Sequence, residues 1–233
     1  MSFDILYEDN HLIAVNKPAG SLSQGDITGD SPILEEVREY LKVKYKKPGN
    51  VFLGLIHRID RPVSGVLIFA RTTKALSRMN NLFAKRGVQK TYWALTAKTP
   101  PKKEDTLVNH MYKDSRKNQS FVCPSSKFGS KEAELSYKHI LSLDKYNLLE
   151  VKPKTGRPHQ IRVQLANIGC VIKGDLKYGA PRSNPDASIS LHAYKLEFIH
   201  PVKKEPIVIK AIPNQDDALW KAAYQEAKKK GLD

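Results

Sequence analysis

Apolar positions along the chain follow two different periods, which predict strands and helices in an irregular order. Apolar runs and alternating patterns predict strands near 5–7, 12–15, 65–70, 89–97, 133–143, 147–152, 191–199 and 207–211. Apolar residues spaced three and four apart predict helices from Ser31–Pro32, from Thr73, at 159–168 and at 216–230. Strands dominate and helices intervene irregularly. The pattern therefore predicts an α+β fold with a mixed, largely antiparallel sheet, over a single domain spanning residues 1–233.

Residues 98–131 interrupt this pattern with a polar stretch that we expect to be an irregular basic loop. It carries eight basic residues and three acidic ones. Long loops in compact domains are uncommon unless they bind something or are mobile. Lysines beside Tyr112 and Phe121 suit the backbone and bases of RNA. A solvated surface loop with short strands fits the same pattern.

The charge of the chain indicates a polyanionic partner. Its 39 Lys and Arg against 24 Asp and Glu give a formal net charge of +15. RNA, DNA and an anionic membrane face are the partners that such a charge favours, and a soluble protein with a basic pI is the alternative. The lysines that end the predicted helix at 216–230 are either a solvated terminus or an electrostatic handle.

Cysteine usage and hydropathy bear on where the protein works. Cys123 and Cys170 are too few for a disulfide framework or a zinc site, which favours a reducing cytoplasm. The N-terminus has no basic segment followed by a long apolar one, so it is not a signal peptide. No apolar run approaches the roughly 18 residues of a membrane helix. We therefore expect a cytoplasmic protein without a membrane partner.

Several common chemistries have no motif in this chain. The histidines lack metal-ligand spacing, and no Cys-x-x-Cys accompanies them. The GxxxxGK[ST] loop and the GxGxxG turn are both missing, and Ser64 has no G-x-S-x-G surroundings. A glycosidase or a nuclease would need a second carboxylate at recognisable spacing or a metal cluster. We expect no metal and no cofactor.

One segment, His57–Arg71 (HRIDRPVSGVLIFAR), combines a predicted buried strand with a charged turn. The turn crowds His57, Arg58, Asp60 and Arg61 into five residues ahead of Pro62. A turn that leads into a buried strand does not need a carboxylate between arginines. Cations on both sides stabilise the ionised carboxylate, which is typical either of a structural ion pair or of a functional site.

The motifs, taken together, resemble the RluA-type pseudouridine synthases. The family patterns are N-K-P-x-G, H-R-L-D-x-x-T-S-G, K-x-Y-x-A, G-R-x-H-Q-[IL]-R-x-H-L followed by G-D-x-x-Y-G, and L-H-A-x-x-L-x-F-x-H-P. The matching segments here, in the same order, are NKPAG (16–20), HRIDRPVSG (57–65), KTYWA (90–94), GRPHQIRVQL with GDLKYG (156–179), and LHAYKLEFIHP (191–201). These motifs cover nearly the whole chain.

The resemblance implies a fold, an activity and roles for particular residues. The fold would be a pseudouridine synthase fold, with helices flanking the sheet and a central RNA-binding cleft. The activity would be the isomerisation of uridine to pseudouridine in tRNA, ribosomal RNA or both, without a cofactor. The catalytic aspartate falls on Asp60, the arginine associated with displacing the target base on Arg58, the active-site tyrosine on Tyr92, and the arginine that pairs with the aspartate on Arg162.

From the residues alone, core packing of Tyr92 and an exposed helix position for Arg162 are the commoner cases. Five more motif residues are further candidates for substrate binding: His57, Lys90, Arg157, His159 and Gln160.

The chain departs from the family motifs at Val63, in place of a threonine, and at Gln164, in place of a histidine. We expect little catalytic effect of Val63 and an altered contact near the site for Gln164. NKPAG begins at residue 16, so we expect no S4-type RNA-binding module ahead of it, and RNA targeting would rest on residues 98–131 and the lysine-rich C-terminus. We expect a monomer. The alternative function is a non-catalytic RNA-binding protein on the same scaffold.

Overall fold

The computed structural model describes residues 2–25 and 29–232. The chain divides into two compact units: Met1–Gln89 with Ala193–Ile212, and Lys90–His192 with Pro213–Asp233. This division does not test the expectation of a single domain over 1–233, which stays a prediction. Across the described residues, each helix is too short or too polar to cross a membrane.

The elements follow the irregular order that the sequence predicts. The strands, in chain order, are β1 (Asp4–Glu8), β2 (Leu12–Lys17), β3 (Gly54–Leu55), β4 (Ser64–Ala70), β5 (Val88–Thr96), β6 (Glu104–Asp114), β7 (Gln119–Cys123), β8 (Lys131–Ser142), β9 (Asn147–Pro153), β10 (Leu191–Ile199) and β11 (Pro206–Lys210). The helices are α1 (Ile33–Lys44), α2 (Thr73–Ala84), α3 (Gln160–Asn167) and α4 (Ala218–Lys229), with a 3₁₀ turn at Leu176–Tyr178.

The first unit is a sheet with the spatial order β1, β2, β4, β10, in which β3 also pairs with β4 and β11 with β10. The pairs β1–β2, β2–β4, β3–β4 and β10–β11 are antiparallel. Gly65 at the start of β4 has a φ of +116°, and a Cβ there would lie 2.3 Å from the carbonyl oxygen of Ala193. The close approach of these backbones therefore requires glycine at this position.

Both faces of this sheet are covered, one by α1 and the other by α2. Ile33, Val37 and Leu41 of α1 join a core with Ile13, Val15, Leu67 and Phe69 of the sheet. Ala75 and Met79 of α2 join a second core with Leu12, Ala14, Val66, Ile68 and Ala70. Successive strand residues point to opposite faces, so strands buried on both sides need unbroken apolar runs. That requirement explains why β2 and β4 contain such runs.

The second unit is a sheet with the spatial order β5, β9, β8, β6, β7. Its neighbouring strands are all antiparallel. The unit also contains α3, which contacts β7, and α4, which contacts β8. Trp220, Ala223 and Ala227 form the buried face of α4. The predicted α+β architecture with a largely antiparallel sheet is confirmed.

Two local predictions were wrong. Residues 98–131 are not an irregular loop, because most of them form the long hairpin of β6 and β7. This hairpin was missed because polar residues fill many of its half-buried positions as well as its exposed ones, so the sequence shows no apolar period. At α1, the sequence predicts Ser31 as the cap and Pro32 as the first helical residue, but the N-cap is Pro32, which makes no side-chain hydrogen bond. The second helix begins at Thr73 as predicted, and the Thr72 hydroxyl accepts a hydrogen bond from the Ala75 amide at 3.1 Å.

Candidate active site

The turn that carries Asp60 is fixed on both sides by the loop that follows β2. The Ser23 hydroxyl donates to the Ile59 carbonyl oxygen at 2.8 Å and accepts from the Ile59 amide at 3.3 Å. The Gly20 amide donates to the Arg61 carbonyl oxygen at 2.8 Å, and Arg61 Nε donates to the Gly20 carbonyl oxygen at 2.9 Å. Asp60 itself is half-buried. Backbone held immediately before and after Asp60 limits where its carboxylate can point.

Lys17 supports the same turn through hydrogen bonds. Among the described residues, it is the only lysine with none of its surface exposed, at 0%. Its Nζ donates to the carbonyl oxygens of Pro18 at 2.8 Å, Ser21 at 2.7 Å and Arg61 at 3.2 Å. Burial lowers the pKa of Lys17 to about 7, while the Asp60 carboxylate acts in the opposite direction by stabilising the ammonium. Lys17 thus joins the loop that follows β2 to the turn that carries Asp60, and it places its amine near Asp60.

The other residues of the HRID motif have distinct positions. His57 stacks on Phe83, with ring centroids 5.1 Å apart, and its Nε2 accepts a hydrogen bond from the Ile68 amide at 3.3 Å. These contacts give His57 a structural role in the first unit. Arg58 is exposed, and its predicted role at the RNA stays a prediction. Val63 is buried, in agreement with its apolar side chain.

In the second unit, Arg162 lies on α3 and is buried at 6% exposure, unlike the commoner case of an exposed helix arginine. Its Nε and Nη2 donate to the carboxylate oxygens of Asp175 at 2.7 and 2.8 Å. The guanidinium carbon lies 5.1 Å from the centroid of the Tyr178 ring. This bidentate pairing and ring contact hold the guanidinium plane in one orientation. The pairing of Arg162 with Asp60 stays a prediction.

Asp175 and Tyr178 were missed as functional residues by the sequence analysis. Both belong to the GDLKYG segment, which the family resemblance includes, but their partners lie elsewhere in the chain. Asp175 is 1% exposed, and buried carboxylates are rare unless they are paired. The Tyr178 hydroxyl lies 2.8 Å from His159 Nδ1. An aspartate and a tyrosine in a Gly-rich turn were the available signal.

The turn that leads into α3 is organised by Gln160. Its Oε1 accepts from the Thr155 hydroxyl at 2.7 Å and from the Arg157 amide at 2.9 Å. Its Nε2 donates to the Glu134 carbonyl oxygen at 3.0 Å. His159 has a φ of +55° at the N-cap of the helix, a backbone conformation that is unusual for a residue other than glycine. These contacts give Gln160 and Thr155 a structural role in placing α3.

Gln164 stands where the family motif has a histidine, and it fixes α3 to the sheet. Its Nε2 lies 3.1 Å from the Leu107 carbonyl oxygen, 2.8 Å from Asn109 Oδ1 and 3.2 Å from the Ala133 carbonyl oxygen. The departure at position 164 therefore concerns how α3 is held against β6 and β8. Gln164 takes no part in the ion pair between Arg162 and Asp175.

Lys90 and Tyr92 lie two residues apart on β5 and are both half-buried. Side chains at this spacing share one face of a strand. A Cβ on Gly156 would lie 3.8 Å from Lys90 Nζ, so the amine reaches the turn of residues 155–157. Burial lowers the pKa of Lys90. The half-buried position of Tyr92 is compatible with a ring that receives a base.

Some predictions concern metals. Among residues 2–25 and 29–232, no group of three or more His, Cys, Asp or Glu side chains is placed to hold a metal ion. The expectation that the reaction needs no metal and no cofactor stays a prediction.

Comparison with known proteins identifies the class to which this fold and these motifs belong. Residues 11–167 match the family described as RNA pseudouridylate synthase, and the chain belongs to that family. The predicted RluA-type resemblance is confirmed. The protein is an RNA pseudouridine synthase, an isomerase that converts uridine in RNA to pseudouridine. Membership of this family supports the enzyme over the non-catalytic RNA-binding alternative.

Two relatives and one solved structure illustrate the similarity. tRNA pseudouridine synthase C of Vibrio cholerae is 32% identical over 240 residues, which cover 96% of this chain and 95% of that protein. Ribosomal large subunit pseudouridine synthase C of Buchnera aphidicola is 34% identical over 216 residues, which cover 89% of this chain and 66% of that protein. The structure of human RNA pseudouridylate synthase domain containing 4 has a TM-score of 0.74 at 24% identity, and the match covers 89% of this chain and 87% of that one. This last likeness shows the fold.

Proposed function

We propose that Asp60 is the catalytic residue of this pseudouridine synthase. The observation that carries the proposal is the turn itself: hydrogen bonds from Gly20 and Ser23 hold the residues on either side of Asp60, and Lys17 Nζ donates to the Arg61 carbonyl oxygen next to it. A carboxylate that acts as a nucleophile must be held in one geometry. The Asp60 turn supplies that geometry within a motif that matches the family.

The chemistry that we assign to Asp60 begins after the target uridine has left its stack. The carboxylate attacks C1′ of the sugar, and the N1–C1′ bond breaks with its electron pair passing to the uracil. The detached uracil turns, and its C5 forms the new bond to C1′ while the carboxylate leaves. The proton on C5 is then removed and N1 regains a proton, so the product has the same atoms as the substrate.

Other residues contribute to holding the RNA. Tyr92 provides a ring against which the uracil turns, and it helps to remove the C5 proton. Arg58 is exposed and fills the space that the flipped base leaves. The family resemblance assigns Arg162 to the Asp60 carboxylate, and we propose that ion pair in addition to the observed one with Asp175. We propose further substrate contacts at His57, Lys90, Arg157, His159 and Gln160.

We propose tRNA as the substrate, with ribosomal RNA as the second candidate. The relative named a tRNA pseudouridine synthase aligns over 95% of its own length. A relative named for the ribosomal large subunit is slightly more identical, at 34%, but aligns over 66% of its length. We also propose that the enzyme is cytoplasmic and monomeric, and that it works as one domain without a metal or another cofactor.

The test combines mapping with a single substitution. Pseudouridine mapping of total RNA, with and without the gene, should show a lost site in tRNA. A lost site in ribosomal RNA alone would refute the tRNA proposal in favour of the second candidate. Asp60→Asn should bind the mapped RNA as tightly as the wild type and form no pseudouridine. Asp144→Asn, an exposed position, is the control for loss of one negative charge. Turnover by pure Asp60→Asn would overturn the assignment of the nucleophile.

A further inference from the structure

Phe128 is the most exposed large hydrophobic side chain among the described residues, with 95% of its surface accessible. It lies in the second unit, in the turn of residues 124–130 that connects β7 to β8. A phenylalanine so exposed makes almost no packing contribution to the folded state. Single exposed apolar residues are common on protein surfaces, so exposure alone assigns no role to Phe128. The contacts and charges around Phe128 do assign one.

The turn that presents Phe128 is fixed by contacts on both sides. The Lys127 amide donates to the Pro124 carbonyl oxygen at 3.1 Å, and the Ser130 amide donates to the Lys127 carbonyl oxygen at 3.0 Å. The Ser130 hydroxyl donates to the Ser125 carbonyl oxygen at 3.2 Å. Because these bonds hold the backbone, the ring of Phe128 is projected outward from a defined position.

The same turn is also docked onto Tyr112 of β6. A Cβ on Gly129 would lie 3.9 Å from the Tyr112 ring, and Lys127 Nζ lies 5.1 Å from the centroid of that ring. A lysine held over an aromatic face is restricted in position. The turn therefore presents an aromatic residue and a lysine at adjacent positions of a restrained backbone, which reduces the backbone entropy lost on binding.

The segment that carries Phe128 is basic, between Asp114 and Glu132. Residues 115–131 contain basic side chains and no acidic one. The basic residues are all exposed and are Arg116, Lys117, Lys127 and Lys131. An exposed ring among cations is the combination that proteins use to stack an unpaired base and hold its phosphates. This positive charge favours RNA over a protein partner of ordinary composition.

We propose that Phe128 is a stacking platform for an unpaired base of the substrate RNA, and that Lys127 and Lys131 hold the adjacent phosphates. This proposal rests on the activity of the protein on RNA and adds a recognition site to it. The base that stacks belongs to a single-stranded loop, since bases within an RNA duplex do not expose their faces. Phe128 acts in binding, and the chemical step at the target uridine does not involve it.

The first test compares Phe128→Ala with Phe128→Trp on unmodified tRNA transcripts and on ribosomal RNA. Loss of one stacked base should weaken Kd for the substrate RNA by about 5- to 100-fold. We expect this loss in Phe128→Ala, with KM raised by a similar factor and with kcat and Tm unchanged. Phe128→Trp should bind at least as tightly as the wild type. Val208→Ala, which removes an exposed side chain (56% accessible) from the first unit, is the control and should change none of these values.

The second test reads the contact directly. The native tryptophans, Trp93 and Trp220, are buried, so Phe128→Trp introduces an exposed fluorophore. Its emission should be quenched when substrate RNA is added, and the wild type should show no comparable change. Equal Kd values for Phe128→Ala and the wild type would overturn the proposal, as would an emission that RNA does not alter.

A third variant and the wild-type control complete the interpretation. Full rescue by Phe128→Leu would also overturn the proposal, because leucine is apolar but cannot stack. That result would point to an apolar contact with a protein instead. If the wild type itself formed no pseudouridine in these RNAs, the proposed substrates would fail, and this outcome is distinct from a failure at Phe128.

Discussion

Replacing Lys17 by methionine tests how the Asp60 turn is held. Methionine has a similar length and no donor, so the carbonyl oxygens of Pro18, Ser21 and Arg61 would lose the hydrogen bonds that Lys17 now donates. Each buried acceptor left without a donor costs about 1–3 kcal/mol. Removing a desolvated ammonium offsets part of that cost. We expect a net loss of about 2–4 kcal/mol in the free energy of unfolding.

Thermal unfolding is the assay for this loss. For a chain of this size each kcal/mol shifts Tm by about 2–4 °C, so Lys17→Met should melt about 5–15 °C below the wild type. At a temperature where both are folded, kcat should fall at least about tenfold, because Asp60 loses its fixed position. Lys42→Met, at an exposed lysine of α1, is the matched control. A Tm within about 2 °C of the wild type would refute the reasoning.

The pH dependence of the same pair of proteins tests the electrostatic part. The folded-state pKa of Lys17 is lowered from 10.5 to about 7. Between these values the unfolded chain binds more protons than the folded chain, so the contribution of Lys17 to stability rises with pH across that window. The Tm difference between the wild type and Lys17→Met should therefore be larger at pH 9 than at pH 6. A difference that does not change with pH would contradict the burial of the ammonium as the cause.

Further predictions concern the backbone of the first unit and the ion pair of the second. Gly65→Ala should lower Tm by more than about 5 °C or prevent folding, because its Cβ would meet the Ala193 backbone at 2.3 Å. Gly49→Ala, where a Cβ meets nothing within 4 Å, should melt with the wild type, and equal melting of both variants would contradict the close approach. Asp175→Asn should cost about 3 kcal/mol, since it leaves the buried Arg162 guanidinium without its carboxylate. Urea unfolding measures this cost, and a loss below about 1 kcal/mol would show that the pair does not hold Arg162.

Prediction from the sequence succeeded best where burial constrains the order of apolar and polar residues. The apolar runs of β2 and β4 correspond to strands of a sheet that is covered on both faces. The helix of Arg162 was predicted at 159–168 and is observed at Gln160–Asn167. Prediction failed at β6 and β7, where polar side chains fill many half-buried positions. These strands are specified by pairing with their neighbours, and local propensity carries little of that information.

In the candidate site, too, residues within local motifs were predicted, whereas contacts between distant parts of the chain were not. Asp60, Arg58, Tyr92 and Arg162 could be named because each lies in a recognisable motif. Lys17 also lies in such a motif, yet nothing local indicates that its amine is fully buried and bonded to the Arg61 carbonyl oxygen, 44 positions along the chain. Buried lysines are rare, so any sequence-based prior favours an exposed one.

The sequence by itself determined the α+β class, the family and the position of the proposed nucleophile, because these depend on periodicity and on motifs of neighbouring residues. Only the tertiary structure decided that Asp175 orients Arg162, that Lys17 joins the loops around Asp60, and that a fixed turn projects Phe128 into solvent. The physical reason is that these depend on contacts and exposure set by the folded chain, which adjacent residues do not encode.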